Sequence, residues 1–149
     1  MSLADRRDLL ALVLDVVIPA EDGFPGAGTI ALDHVLAAAA ASGELERLLS
    51  GGLDAVDKAA RADGASGLVM LAPDDREALL RRVEPSHAAF IEALVRHAYD
   101  AYYSHPTVIA RLGLDPRPIH PRGHAPEPAE LPDLSRVTAR GPIYRRAGC

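Results

Sequence analysis

The sequence predicts an all-α protein, a small bundle of about five helices followed by a proline-rich, extended C-terminal tail. Three observations predict it. Apolar residues recur at helical spacing through residues 1–112, and no stretch of useful length alternates as a strand does. Glycine and proline clusters cut this region into helix-sized pieces. The remainder, Gly113 to Cys149, carries seven of the twelve prolines and has no apolar periodicity. A run such as Pro116-Arg-Pro-Ile-His-Pro121 cannot be helix, because each proline lacks an N–H and restricts the residue before it. The chain is therefore expected to divide into a helical domain, 1–112, and a partner-wrapping tail, 113–149.

Leu9, Leu10, Val13, Val16 and Val17 share one face of a first helix that Pro19 closes, with Asp8 and Asp15 placed on other faces. Pro19 to Gly28 reads as a loop, with Phe24 as its anchor, and Thr29 is the expected N-cap of a helix running to about Ala41. A third helical region opens at Ser42-Gly-Glu44, is punctuated at Gly51-Gly52, and resumes through Leu53, Val56, Ala59 and Ala60. Ala62 to Gly67 is a polar turn. Pro73-Asp-Asp75 has the chemistry of a helix start, with proline in the first turn and two carboxylates near the positive end of the dipole. From Ser86 to about Ser104 runs what should be the longest, central helix, with Phe90, Ile91, Leu94, Val95, Ala98 and Tyr102 as its apolar stripe. His105-Pro106 breaks it, and a short helical turn through Val108 to Leu112 ends at Gly113.

Hydrophobic residues make up 48% of the chain but aromatic ones only 4%, with alanine supplying much of the difference. The core should consist of closely approaching helices with small side chains. The net charge of −5 is uneven: residues 1–112 have 10 basic and 17 acidic side chains, and residues 113–149 have 6 and 4. An acidic body argues against nucleic acid, which needs a concentrated basic face. Cys149 is the single cysteine, so no internal disulfide or haem attachment can form. Arg6-Arg7 before an apolar run superficially suggests a twin-arginine export signal, but Asp8 and Asp15 interrupt any clean apolar region. It reads as the first helix. No apolar run is long enough to predict a transmembrane segment.

Chemistry-bearing patterns are few. His120 and His124 are four apart, but Pro121 and Gly123 exclude the helix that would bring them together, and His87 and His97 lie nearly opposite in rotation. Asp74-Asp75 is explained by capping, and Glu21-Asp22 is an exposed loop pair. There is no phosphate-binding loop, dinucleotide-binding glycine turn or nucleophile elbow, so no catalytic, cofactor or metal residue is expected. Three of the four tyrosines, Tyr99, Tyr102 and Tyr103, cluster before Ser104-His105-Pro106. One must enter the core, while Tyr99 and Tyr103 share another face and suit a protein interface.

Two stretches together resemble the small subunit (gamma, or subunit 3) of gluconate 2-dehydrogenase and related flavin-dependent sugar dehydrogenases. One is Leu9-Leu-Ala-Leu-Val-Leu-Asp-Val-Val-Ile-Pro19 with the following Pro25-Gly-Ala27. The other is Tyr99-Asp-Ala-Tyr-Tyr-Ser-His-Pro106 leading to Leu112-Gly-Leu-Asp115, and Leu71 to Leu80 is similar in pattern. The resemblance implies a non-catalytic helical subunit bound to a large flavoprotein oxidoreductase of the glucose-methanol-choline type. That partner would hold FAD and oxidise sugars, sugar acids or glycosides, with a cytochrome or other electron acceptor reached through the complex. The small subunit would assist its folding, stability and export. These 149 residues show no twin-arginine leader of the kind many members carry. A cytoplasmic complex is therefore expected, or a periplasmic one if the chain is exported with a partner.

The residues expected to meet the partner are Tyr99, Tyr103, His105 and Pro106 on the body, with Ile119, Leu131, Leu134, Val137, Ile143 and Tyr144 as scattered anchors along a tail that orders only against it. The alternative is a small helical enzyme or metal protein that gathers His105, His120 and His124 by folding the tail.

Overall fold

The computed structural model describes residues 2–116 and 133–141, and these form an all-α protein. The chain divides into two compact units, Met1–Arg117 and Pro118–Cys149. The helices of the first unit are α1 (Arg7–Val17), α2 (Ala27–Ile30), α3 (Leu32–Ala41), α4 (Gly43–Ala62), α5 (Pro73–Val83), α6 (Ala88–Ser104) and α7 (Pro106–Arg111). Short 3-10 turns precede α1, α5 and α6. In the second unit Ser135–Ala139 forms α8, which places helix where an extended strap was expected. Just before it Asp133 accepts from the Ser135 backbone N–H at 2.9 Å and from its hydroxyl at 3.0 Å, a local Asx turn.

In the first unit α6 packs against α1, α2, α3, α4 and α7, which makes it the hub of the bundle. Its buried stripe is Phe90, Leu94, Ala98 and Tyr102, at the i, i+4 spacing of one helix face. Leu10, Val13 and Leu14 of α1 and Leu49, Leu53, Val56 and Ala60 of α4 complete the core. Alanines at positions 27, 31, 39, 60, 93, 98 and 101 are buried, so close helix approach substitutes for bulky side chains.

The longest helix is α4, with 20 residues against 17 for α6. Gly51-Gly52 does not interrupt it. Gly52 is buried and faces Phe90, and a Cβ there would overlap the aromatic ring. The glycine costs helix propensity but lets the largest buried side chain of the core seat against bare backbone. Ser42 caps α4 by accepting from the Leu45 N–H at 3.3 Å. Pro73 stands in the first turn of α5 with Asp74 and Asp75, as the sequence indicates.

One other boundary differs from expectation. The second helical stretch begins at Ala27 with Gly26 before it, so Thr29 lies inside α2 and is not a cap. Asp15, on another face of α1 than its apolar stripe, accepts from the Gly28 N–H at 2.7 Å and closes the end of the loop. Arg6 is buried in the bundle, while Arg7 stays exposed at the start of α1. The Arg6 guanidinium is buried, donating to the Ser50 carbonyl at 3.2 Å and to Asp54 on α4 at 2.5 Å. Arg7 pairs with Asp33 on α3 at 2.5 Å.

Gly113 terminates α7 with φ +75°. The Gly113 N–H reaches the Ala110 carbonyl at 3.0 Å and the Leu114 N–H reaches Ile109 at 3.1 Å, a Schellman motif that favours glycine in the left-handed position.

Candidate functional site

The loop after α1 and the end of α6, far apart in sequence, are joined in space. After Pro19 the chain turns at Asp22 (φ +49°) and Gly23 (φ +80°), a pairing of positive φ values found in tight type I′ turns. Glu21 and Phe24 form an isolated antiparallel bridge across it, with backbone bonds of 3.2 and 2.8 Å. Phe24 packs against the core, as its place in the loop suggests. The Ala27 N–H returns to the Ile18 carbonyl at 2.9 Å, and Asp15 holds Gly28. From the other side the Tyr102 hydroxyl donates to the Pro25 carbonyl at 2.7 Å. Burial, reinforced by neighbouring Tyr103 and opposed by Arg111, raises the Tyr102 phenol above its ordinary range, so it remains a donor.

Beside this junction lies an open groove of about 340 Å³. Ile18, Pro19 and Phe24 line one wall, Tyr102, Tyr103 and Leu112 the other, and Glu21 and Asp22 also line it. Tyr99 and Tyr103 are 45% and 50% exposed, with ring centroids 5.5 Å apart and planes inclined at 44°. Tyr103 also meets Tyr102 edge-on at 5.3 Å, so the exposed ring rests on a buried one. Leu112 and Leu114 are exposed nearby in sequence.

The other expected contact residues fall into three groups. His105 is half-buried and caps α7, its ring Nδ1 accepting from the Thr107 N–H at 3.3 Å, while exposed Pro106 occupies the first turn of that helix. Both have local structural roles. Leu134 and Val137 are exposed in the second unit, flanking and within α8. Ile119, Leu131, Ile143 and Tyr144 lie outside the described residues, as do His120 and His124 of the metal alternative. Among the described residues no three His, Cys, Asp or Glu side chains are placed to hold a metal ion.

His87 and His97 occupy different surfaces. His87 sits beside Ser86, 2.9 Å from its hydroxyl, whereas His97 lines a cleft with Ala38, Leu45, Leu48 and Ala93. Burial in that cleft, with Arg96 and His34 assisting and Asp100 opposing, lowers the affinity of the His97 ring for its proton.

Reading the sequence missed the groove walls at Ile18 and Leu112 and the Tyr102–Pro25 bond. The available signal was Asp22-Gly23, a dipeptide favoured in type I′ turns, which would have folded Phe24 back toward the helices.

The geometry defines an all-α bundle whose loop–tyrosine junction supports an aromatic-lined groove. Residues 4–120 match the family model described as Gluconate 2-dehydrogenase subunit 3, so the chain belongs to that family. The match spans both stretches that meet at the groove. The description is of one subunit of a multi-subunit dehydrogenase, which implies a hetero-oligomer. No curated protein and no solved structure matches the chain. Among the described residues no helix is long and apolar enough to cross a membrane.

Proposed function

We propose that this chain is a non-catalytic small subunit that binds, stabilises and helps mature a large FAD-dependent oxidoreductase of the glucose-methanol-choline type, acting on sugars, sugar acids or glycosides. The family match supplies the subunit role. The observation that carries the docking assignment is the exposed Tyr99–Tyr103 pair, rigidly backed by Tyr102, in a chain with only four tyrosines and two phenylalanines. Rigid amphipathic rings give contact area at little entropic cost. The partner holds the FAD and performs the oxidation, and electrons leave through that partner to a cytochrome or other acceptor. The complex works in the cytoplasm, or in the periplasm if the chain travels with an exported partner.

Co-expression with a flavoprotein oxidoreductase encoded beside this chain tests the reading. The two should co-purify, and the large subunit should lose soluble, flavin-loaded yield when this chain is omitted. The isolated chain should be colourless and inactive. Flavin bound to the isolated chain, or a large subunit that matures equally well alone, would contradict the proposal.

A further inference from the structure

We propose that the groove between the Glu21–Phe24 turn and the α6–α7 corner receives an apolar side chain flanked by a basic residue, presented by the large flavoprotein subunit. The inference rests on the subunit reading and specifies which surface of this chain docks and the chemistry it selects.

The groove combines features that select such a segment. Its walls are apolar or aromatic, through Ile18, Phe24, Tyr103 and Leu112. Two carboxylates, Glu21 and Asp22, line it as well, and neither has an ion-pair partner among the described residues. Five carboxylates elsewhere on the body, Asp33, Asp54, Asp57, Asp63 and Glu77, each meet an arginine, and Glu21 and Asp22 belong to the larger set that does not. Arg111 on α7 reaches toward Gly23 and offsets part of the local charge, but the excess at the turn stays negative.

A second groove begins on the other side of Pro19, lined by Asp15, Asp74 and Glu77, of which Glu77 pairs with Arg81 and Asp15 accepts from the Gly28 N–H. Its Arg76 is engaged with the Leu68 and Val69 carbonyls at 3.2 and 3.1 Å. The surface on both sides of Pro19 is thus acidic around apolar floors, on a body that carries seven more acidic than basic residues over 1–112.

These charges favour a basic partner segment and disfavour a second copy of the same acidic body. The turn presenting them is fixed by its paired backbone bonds and by Phe24, so little order has to be created on binding.

Binding kinetics of the full chain to the neighbouring-encoded flavoprotein, measured at low and high salt, test the assignment. Glu21→Gln with Asp22→Asn removes both charges while Asn still tolerates the positive φ at position 22. This double variant should slow association at low salt by about tenfold and flatten the salt dependence, leaving dissociation little changed. Tyr103→Ala should instead speed dissociation by about tenfold. A wild-type complex whose rates and salt dependence are unaffected by either variant overturns the groove assignment and leaves the subunit reading standing. A homodimer broken by Tyr103→Ala would also overturn it, and failure of the wild type to form any complex would overturn both.

Discussion

Gly52 and Phe90 show how one pair of residues decides whether two helices can meet. The ring is essentially inaccessible and rests where a Cβ on Gly52 would stand. Gly52→Ala should therefore destabilise the fold by about 1–3 kcal/mol through overpacking, despite alanine's better helix propensity. Phe90→Ala should cost about 3–5 kcal/mol by leaving a cavity. Urea unfolding of both variants measures the effects, and a Gly52→Ala protein as stable as wild type would show that α4 and α6 are not in close contact.

Tyr102 gives a second test at the same scale. Its phenol is raised above the usual value, chiefly by burial. The protonated form is thus the one favoured by folding, and its contribution is fully present below about pH 10 and lost as pH rises through the raised folded value. Tyr102→Phe should lose about 1 kcal/mol at neutral pH with the Pro25 bond, and the gap to wild type should narrow above pH 10. A gap independent of pH would rule out this hydroxyl as its source. Of these residues, Phe90 was legible as core from its helical spacing. Gly52 was not, because propensity alone makes Gly-Gly a breaker and only the facing ring gives it a purpose.

At the scale of elements, the helices were easier to read than their joints. Apolar periodicity located α1, the resumed half of α4 and α6, since each must bury one stripe, and capping chemistry at Pro73 located α5. It could not place Asp15, whose role depends on a glycine N–H thirteen residues away. The same limit hid the groove: Phe24 and the tyrosines stood out in the sequence, but the wall positions of Ile18 and Leu112 depend on a meeting set by the Tyr102–Pro25 and Asp15–Gly28 bonds. Those two bonds make the loop a rigid part of α1 and α6. Asp15→Ala should leave the Gly28 N–H without its carboxylate, costing about 1–3 kcal/mol. Amide exchange should quicken across residues 20–28 while the buried face of α6 stays protected. Uniform acceleration across the bundle would mean that Asp15 supports the whole core and not this joint alone.

For the whole molecule, the buried side chains among the described residues all belong to the first unit. Every buried core residue among those described lies between Leu3 and Val108, and a Schellman motif built on Gly113 and Leu114 ends the last helix of the first unit. The described part of the second unit, 133–141, contributes no buried side chain, and its Leu134 and Val137 are exposed. Sequence reasoning put the change of character near Gly113 because proline content and lost periodicity are local signals. It could not foresee α8, a short helix whose first residue, Ser135, is bonded by Asp133 two residues before it. If the second unit serves the partner and not the bundle, truncation after Arg117 should leave the thermal unfolding midpoint of the body within a degree or two of wild type. The same truncation should weaken association with the large subunit by tenfold or more, because apolar anchors such as Leu134 and Val137 would be lost from the interface. A marked fall in the melting temperature would instead make the second unit part of the bundle's own stability, and unchanged affinity would confine docking to the groove and its tyrosines.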